Sequence, residues 1–227
     1  MSRTLNLIDI LLTSGRNLFS LGRYRDALIP LNKLAGFRDL DADALCELNS
    51  LRGRIFLELE QYRQARRCFA AAIAARPGSG EHHFHMAQAI EDDVDADLER
   101  AEGHYTLAVA LVPERADFWC EFGSYLFAIG KAAKGLNAIR KAFERGIADS
   151  DIVGRVVEML REEGYAAEAT SKLRSALFHN RGAAAFRELW QQHQFELARM
   201  DAEKRRRAAN GWPAEPVILD FPPPGTP

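Results

Sequence analysis

N-S-L-R-G-R-I-F-L-E-L-E-Q-Y-R-Q-A-R-R-C-F-A-A-A-I-A-A-R-P, residues Asn49 to Pro77, carries a skeleton that recurs along the chain. Gly53 is followed by Phe56, and Tyr62, Ala65, Phe69, Ala72 and Pro77 then fall at fixed offsets. A glycine inside a helix costs about 1 kcal/mol relative to alanine. It is sensible where a second helix must approach closely. We read Gly53 and Ala72 as the contact points of two antiparallel helices, with Phe56 and Phe69 as the bulky side chains beside them. Pro77, which cannot continue a helix, stops the unit.

The small site of the first helix recurs as Gly15, Gly53, Ala87, Gly123 and, less well, Val157. The bulky site three residues later holds Leu18, Phe56, Ile90, Leu126 and Leu160. In the second helix an alanine site recurs as Ala27, Ala65, Ala101, Gly135 and Ala169, at intervals of 38, 36, 34 and 34 residues. Four residues after it stand Leu31, Phe69, Tyr105, Ile139 and Leu173, and three further on Leu34, Ala72, Ala108, Ala142 and Ala176. A period near 34 with W-x-x-L-G-x-x-Y, then A-x-x-x-F, then P resembles the tetratricopeptide repeat. Trp119, Phe122, Gly123 and Leu126 supply the first part of that pattern in the fourth unit. The resemblance covers residues 8–183, though Asp39, Ile147 and Arg181 replace the closing proline in units one, four and five. It implies an all-α, right-handed solenoid of five helix pairs. By this reading residues 1–183 form the repeat solenoid, 184–209 a capping helix, and 210–227 an extended, proline-rich tail.

Composition agrees with a helical stack and narrows the function. The chain has 227 residues and a net charge of −2, which speaks against a nucleic-acid partner. The apolar stretch Leu5–Leu12 is short and interrupted by Asp9, too little for a secretory leader or a membrane span. Cys46, Cys68 and Cys120 are odd in number and lack metal-type spacing. They read as reduced packing residues of a cytoplasmic protein.

Turn residues set the expected helices. The pairs run Leu5–Leu21 with Tyr24–Gly36, Ala44–Leu59 with Tyr62–Arg76, and Glu81–Glu91 with Leu98–Val112. Ala116–Ile129 with Ala132–Arg145 and Asp151–Glu163 with Ala166–Phe178 follow, and then one helix over Ala183–Ala209. Gly22, Gly130, Gly146 and Gly164 close helices. Pro30 falls inside the second helix and predicts a kink or an irregular first turn. The inner turn of the third pair, Asp92–Asp97, is two residues longer than its neighbours. A stack needs a polar-faced terminal helix, and Ala183–Ala209 suits that role.

Three motifs invite chemistry, and each has a plainer reading. His82, His83 and His85 sit together, but only His82 and His85 have helical metal spacing. They read as one packed and two exposed imidazoles. Asp93-Val94-Asp95-Ala96-Asp97 begins like a calcium loop, yet Leu98 and His104 stand where glycine and glutamate are needed. It reads as a solvated acidic turn. The basic run Lys204–Arg207 complements a helix C-terminus. No metal, cofactor or catalytic motif is expected, and the chain reads as no enzyme.

The resemblance implies a concave groove, lined by the first helix of each pair, that holds an extended partner segment. Six places before the small site stand Asp9, Glu47, Glu81, Asp117 and Asp151. Other groove places add Glu58, Glu91, Asp92, Glu121, Glu158 and Glu162 against Arg16, Arg54, Arg155 and Arg161. Acids near a helix start gain about 0.3–1 kcal/mol from its dipole, which accounts for the first column but not for acids later in the helices. Family members that clamp a C-terminal carboxylate use basic groove residues, and the matching early places here are acidic or neutral. The expected partner-binding set is Glu47, Arg54, Glu81, Phe84, His85, Gln88, Asp117, Glu121, Phe127 and Arg155. It predicts a scaffold or adaptor capturing a basic, apolar protein segment, with neither nucleic acid nor membrane as partner. The alternative is a structural subunit or homo-oligomer whose tail docks on itself or a neighbour. Trp212, Val217, Ile218, Leu219 and Phe221 make that tail too apolar for an idle linker.

Overall fold

Among the described residues, eleven helices form where the apolar spacing returns at three to four residues and end where glycine, proline or a capping side chain interrupts it. The computed structural model describes residues 2–147, 149–180 and 182–209. The tail expectation therefore lies outside the described residues. In order the helices are α1 (Ser2–Ser20), α2 (Tyr24–Ala35), α3 (Ala42–Glu58), α4 (Tyr62–Ala75), α5 (Gly80–Glu91) and α6 (Glu99–Leu111). Then come α7 (Ala116–Ala128), α8 (Ala132–Glu144), α9 (Ser150–Glu162), α10 (Ala166–His179) and α11 (Ala184–Ala209). Helix α2 runs through Pro30 as one element.

Caps fix the helix starts. Asp41 Oδ1 accepts the Ala44 N–H (2.7 Å), and Ser79 Oγ accepts that of His82 (3.4 Å). Asp149 Oδ1 takes the N–H groups of Asp151 and Ile152. Four of the five pairs share one turn. The second residue after the first helix takes a left-handed backbone at Gly22, Gly130 and Gly164 (φ 69°, 75° and 85°). Its neighbour's N–H reaches back to the carbonyl of Leu18, Leu126 or Leu160. In the second pair Glu60 holds that place at φ 57°.

The chain divides into two compact units, Met1–Ile147 and Ala148–Pro227. In the first, α1 to α8 pair in sequence, and each second helix also packs on the first helix of the next pair. In the second, α9 and α10 pair, and α11 packs on α10 and, less extensively, on α9. Helix α11 is mostly exposed, burying Phe186 and His193.

Close packing within a pair follows a fixed offset that differs in one respect from the sequence reading. A Cβ on Gly15 would lie 2.6 Å from Leu31 Cδ2, on Gly53 2.6 Å from Phe69 Cε1, and on Gly123 2.6 Å from Ile139 Cδ1. The partner of each glycine is thus the bulky residue sixteen positions on, not Ala72 or its equivalents. Ala72 is fully buried, but it does not face Gly53 most closely. Gly135, where other pairs carry alanine, is matched by Phe127: a Cβ there would meet Phe127 Cδ2 at 2.7 Å.

Candidate functional site

Helices α1, α3, α5 and α7 lie side by side in the first unit, tied across their shared face by side chains. Arg16 Nε donates to Glu47 Oε1 (2.6 Å) from α1 to α3. Cys46 Sγ lies 3.9 Å from His82 Nε2, from α3 to α5. Between α5 and α7 the rings of Phe84 and Phe118 stack with centroids 4.0 Å apart and planes 8° from parallel. Nine of the ten expected site residues belong to these helices, and Arg155 stands on α9, exposed, in the other unit.

The early acidic column is largely compensated. Arg115, in the turn before α7, grips Asp117 through Nε (2.8 Å) and Nη2 (2.6 Å), and its Nη1 reaches Glu81 at 3.2 Å. Its guanidinium also lies over the Phe118 ring at 4.3 Å. This pairing holds the Asp117 carboxyl below the ordinary range against the opposing effect of burial. Arg115 is absent from the expected set because it precedes the helix whose offsets define the groove. The sequence does carry a signal for it: an arginine two residues before an acid at a helix start. Glu47 is matched in turn by Arg16, and Arg54 spreads over the Phe19 ring at 4.7 Å. A cleft of about 340 Å³ among these residues is of mixed charge, with Arg16, Arg54 and Arg76 beside Asp43 and Glu47 and with His82 in its lining.

The opposite end of the face is different. Glu91 and Asp92 close α5, and Glu121 lies near enough on α7 to act on both carboxyls electrostatically. Burial, reinforced by these like charges, pushes the Glu91 and Asp92 carboxyls above the ordinary range. Tyr105 donates its hydroxyl to Glu91 Oε2 at 2.5 Å and opposes that shift in Glu91. The acidic character of the face is therefore concentrated here instead of running through every pair.

The two aromatics need correction as exposed anchors. Phe84 is only 6% exposed, clasped between Phe118 and Tyr105, and Phe127 is only 6% exposed and turned onto Gly135 of α8. Both are packing residues of the unit. His85 is half-buried, stacked on Phe69 (5.6 Å) with its Nδ1 2.9 Å from Gln88 Oε1. The carboxamide oxygen can only accept, so Nδ1 carries the proton. Burial lowers the His85 pKa, against the opposing effect of the Gln88 hydrogen bond.

The histidine and acidic-turn readings are also refined. His82 and His83 are both buried, not one packed and one exposed, because each faces an adjoining helix. His83 Nδ1 meets His104 Nδ1 at 3.0 Å, and His82 lies against Cys46. The turn Asp93–Asp97 is not wholly solvated: Asp93 is buried and ion-paired to Arg66. All three cysteines are buried and unbridged. Among the described residues no group of three or more histidine, cysteine, aspartate or glutamate side chains is placed to hold a metal. No described helix is long and apolar enough to cross a membrane.

Comparison with solved structures agrees on the architecture. TTC0263, a tetratricopeptide protein of Thermus thermophilus, superposes with a TM-score of 0.62 at 19% identity, over 83% of this chain and 99% of that one. MamA from Desulfovibrio magneticus RS-1, residues 41 to the end, gives 0.61 at 16% identity, over 78% and 97%. The chain has the tetratricopeptide-repeat fold. YrrB, described as a tetratricopeptide protein with an unusual peptide-binding site, gives 0.52 at 16% identity, over 78% and 89%. No protein-family model and no curated protein matches the sequence.

Proposed function

We propose that this tetratricopeptide chain is a protein-interaction scaffold whose first unit captures an extended, basic and apolar segment on the shared face of α1, α3, α5 and α7. The observation that carries this reading is the acidic trio Glu91, Asp92 and Glu121, two of whose carboxyls have raised pKa values. Like charges act on Glu91 and Asp92, and a cation brought beside these two carboxyls offsets that repulsion. The half-buried Leu57 and Phe56 of α3 and Phe122 of α7 offer apolar contact for the neighbouring side chains. Main-chain reach along the four helices sets the length of segment bound, and the mixed-charge cleft at Arg16, Glu47 and Arg54 receives its other end. Glu91 and Asp92, with Glu47, Arg54, Glu81, His85, Gln88, Asp117 and Glu121, are the proposed contact residues, and Phe84 and Phe127 support them from beneath. YrrB, by its description, carries a peptide-binding site on this same fold.

The test is selection of peptides from a random library on the intact immobilised chain. Enriched sequences are expected to combine lysine or arginine with apolar residues, and Glu91→Lys with Glu121→Lys should abolish that enrichment. Because charge governs encounter, the binding of a selected peptide should weaken steeply as salt rises. Enrichment of acidic sequences, or an unchanged selection on the double variant, would move the binding site elsewhere.

A further inference from the structure

The lengthened turn between α5 and α6 has built a second feature, away from the first-helix face. The turn folds onto α4. Asp93 takes Arg66, with side-chain exposures of 9% and 26%, and Asp95 takes Arg63 at 2.9 Å. Asp95 N–H donates to Asp93 Oδ1 (3.1 Å) and Ala96 N–H to the Asp93 carbonyl (2.8 Å), so the turn is pinned from within. Beneath it lies a cleft of about 620 Å³ between α4 and α6, within the range of small-molecule sites. Four arginines line it: Arg63, Arg66, Arg67 and Arg100. The first two are matched by the turn's acids. The side chains of Arg67 and Arg100 have no hydrogen-bonding or ionic partner among the described residues. The remaining acid, Asp97, already accepts the Glu99 N–H at 3.1 Å. The floor is apolar, formed by Ala70, Met86, Ile90 and Ala96. His104 also borders the cleft, with its Nδ1 engaged by His83.

We infer that this cleft binds an organic phosphate monoester, its phosphate held by Arg67 from α4 and Arg100 from α6 and its apolar part lying on the Met86–Ile90 floor. Arg67 of α4 and Arg100 of α6 border the same cleft and offer unmatched positive charge to an anion, with Asp97 as the remaining acid beside them, and their planar forks suit tetrahedral oxygens better than point charges would. The paired Arg63 and Arg66 form the rim. A free organic phosphate and a phosphorylated side chain present the same chemistry, and the experiment separates them.

Isothermal titration of the intact chain uses phenyl phosphate, inorganic phosphate, phenol and a short phosphoserine peptide. Saturable binding of phenyl phosphate is expected, weaker binding of inorganic phosphate, and none of phenol. Arg67→Gln with Arg100→Gln should weaken phenyl phosphate at least tenfold, while Asp95→Asn, which releases Arg63, should strengthen it several-fold. Tighter binding of the phosphoserine peptide than of phenyl phosphate would assign the site to a phosphorylated segment, and the reverse order to a free organic phosphate. In the unmutated chain, the Nε–H resonances of Arg67 and Arg100 should shift on titration, which holds even if the double variant misfolds. Absence of saturable binding by both phosphate esters, or equal affinity in a folded double variant, would overturn the inference.

Discussion

Glu60 occupies a backbone conformation that its equivalents in three other pairs give to glycine, with φ at 57°. The left-handed region costs a residue with a Cβ about 1–2 kcal/mol, and glycine regains part of this in unfolded-state entropy. Glu60→Gly is therefore expected to stabilise the chain by about 0.5–1 kcal/mol, read from denaturant midpoints at constant slope. The helical glycines divide on the opposite criterion, space. Gly53 has no room for a methyl group, since a Cβ would lie 2.6 Å from the Phe69 ring edge, whereas a Cβ on Gly103 meets nothing within 4 Å. Gly53→Ala should cost about 1–3 kcal/mol by overpacking. Gly103→Ala, on the exposed side of α6, should gain about 0.5–1 kcal/mol through helix propensity alone. If the two alanine variants melt in the reverse order, the register of the pairs is wrong.

At the scale of an element, the end of α5 and the turn after it hold two carboxyls shifted in opposite directions. Burial and the neighbouring Asp92 and Glu121 raise Glu91, so its ionisation on folding opposes stability at neutral pH. The Asp95 N–H and Arg66 lower Asp93 against the effect of burial, so its ionised form supports the fold. Glu91→Gln retains an oxygen for the Tyr105 hydroxyl and removes the charge; it should raise the thermal midpoint at pH 7. Asp93→Asn should lower it. The Asp93 contribution is present above the ordinary carboxylate pKa and is lost as pH falls through its depressed folded value. The Glu91 penalty is absent below about pH 4, where both folded and unfolded forms are protonated. Glu91→Gln should therefore converge on the parent chain from above as pH falls to about 4, whereas the Asp93→Asn gap should narrow below the ordinary carboxylate pKa and close only beneath the depressed folded value. Midpoints measured from about pH 3 to pH 7 check this: a Glu91→Gln gap that persists below about pH 4, or an Asp93→Asn gap that does not narrow at all, would mean the side chains act by shape instead of charge.

Across the whole molecule, the parts legible in the sequence were those set by local steric rules. Gly15, Gly53 and Gly123 marked the pairs, and Gly22, Gly130 and Gly164 marked the turns, because each position excludes a Cβ or demands φ above zero. What the sequence did not show depends on side-chain reach between elements. Arg115 neutralises two acids from a turn, Phe127 leaves the shared face to fill the space over Gly135, and Asp93 turns inward to Arg66. Periodicity places such residues on a helix but does not say which neighbour a long side chain will choose. The same distinction bears on the division of the chain at Ile147, which no composition shift announces. The first unit has its own apolar clusters, one around Leu31, Leu48 and Ile55 and another around Phe69, Phe84, Tyr105 and Tyr125. A chain of residues 1–147 should therefore unfold cooperatively, with a denaturant slope reduced in proportion to the surface it exposes. It should also select the same basic, apolar peptides as the intact chain, because the acidic trio and the mixed-charge cleft both lie within it. A helical but non-cooperative fragment would show that these two clusters do not suffice to fix the pairs. A cooperative fragment that selects no peptide would place residues beyond 147 in the binding surface.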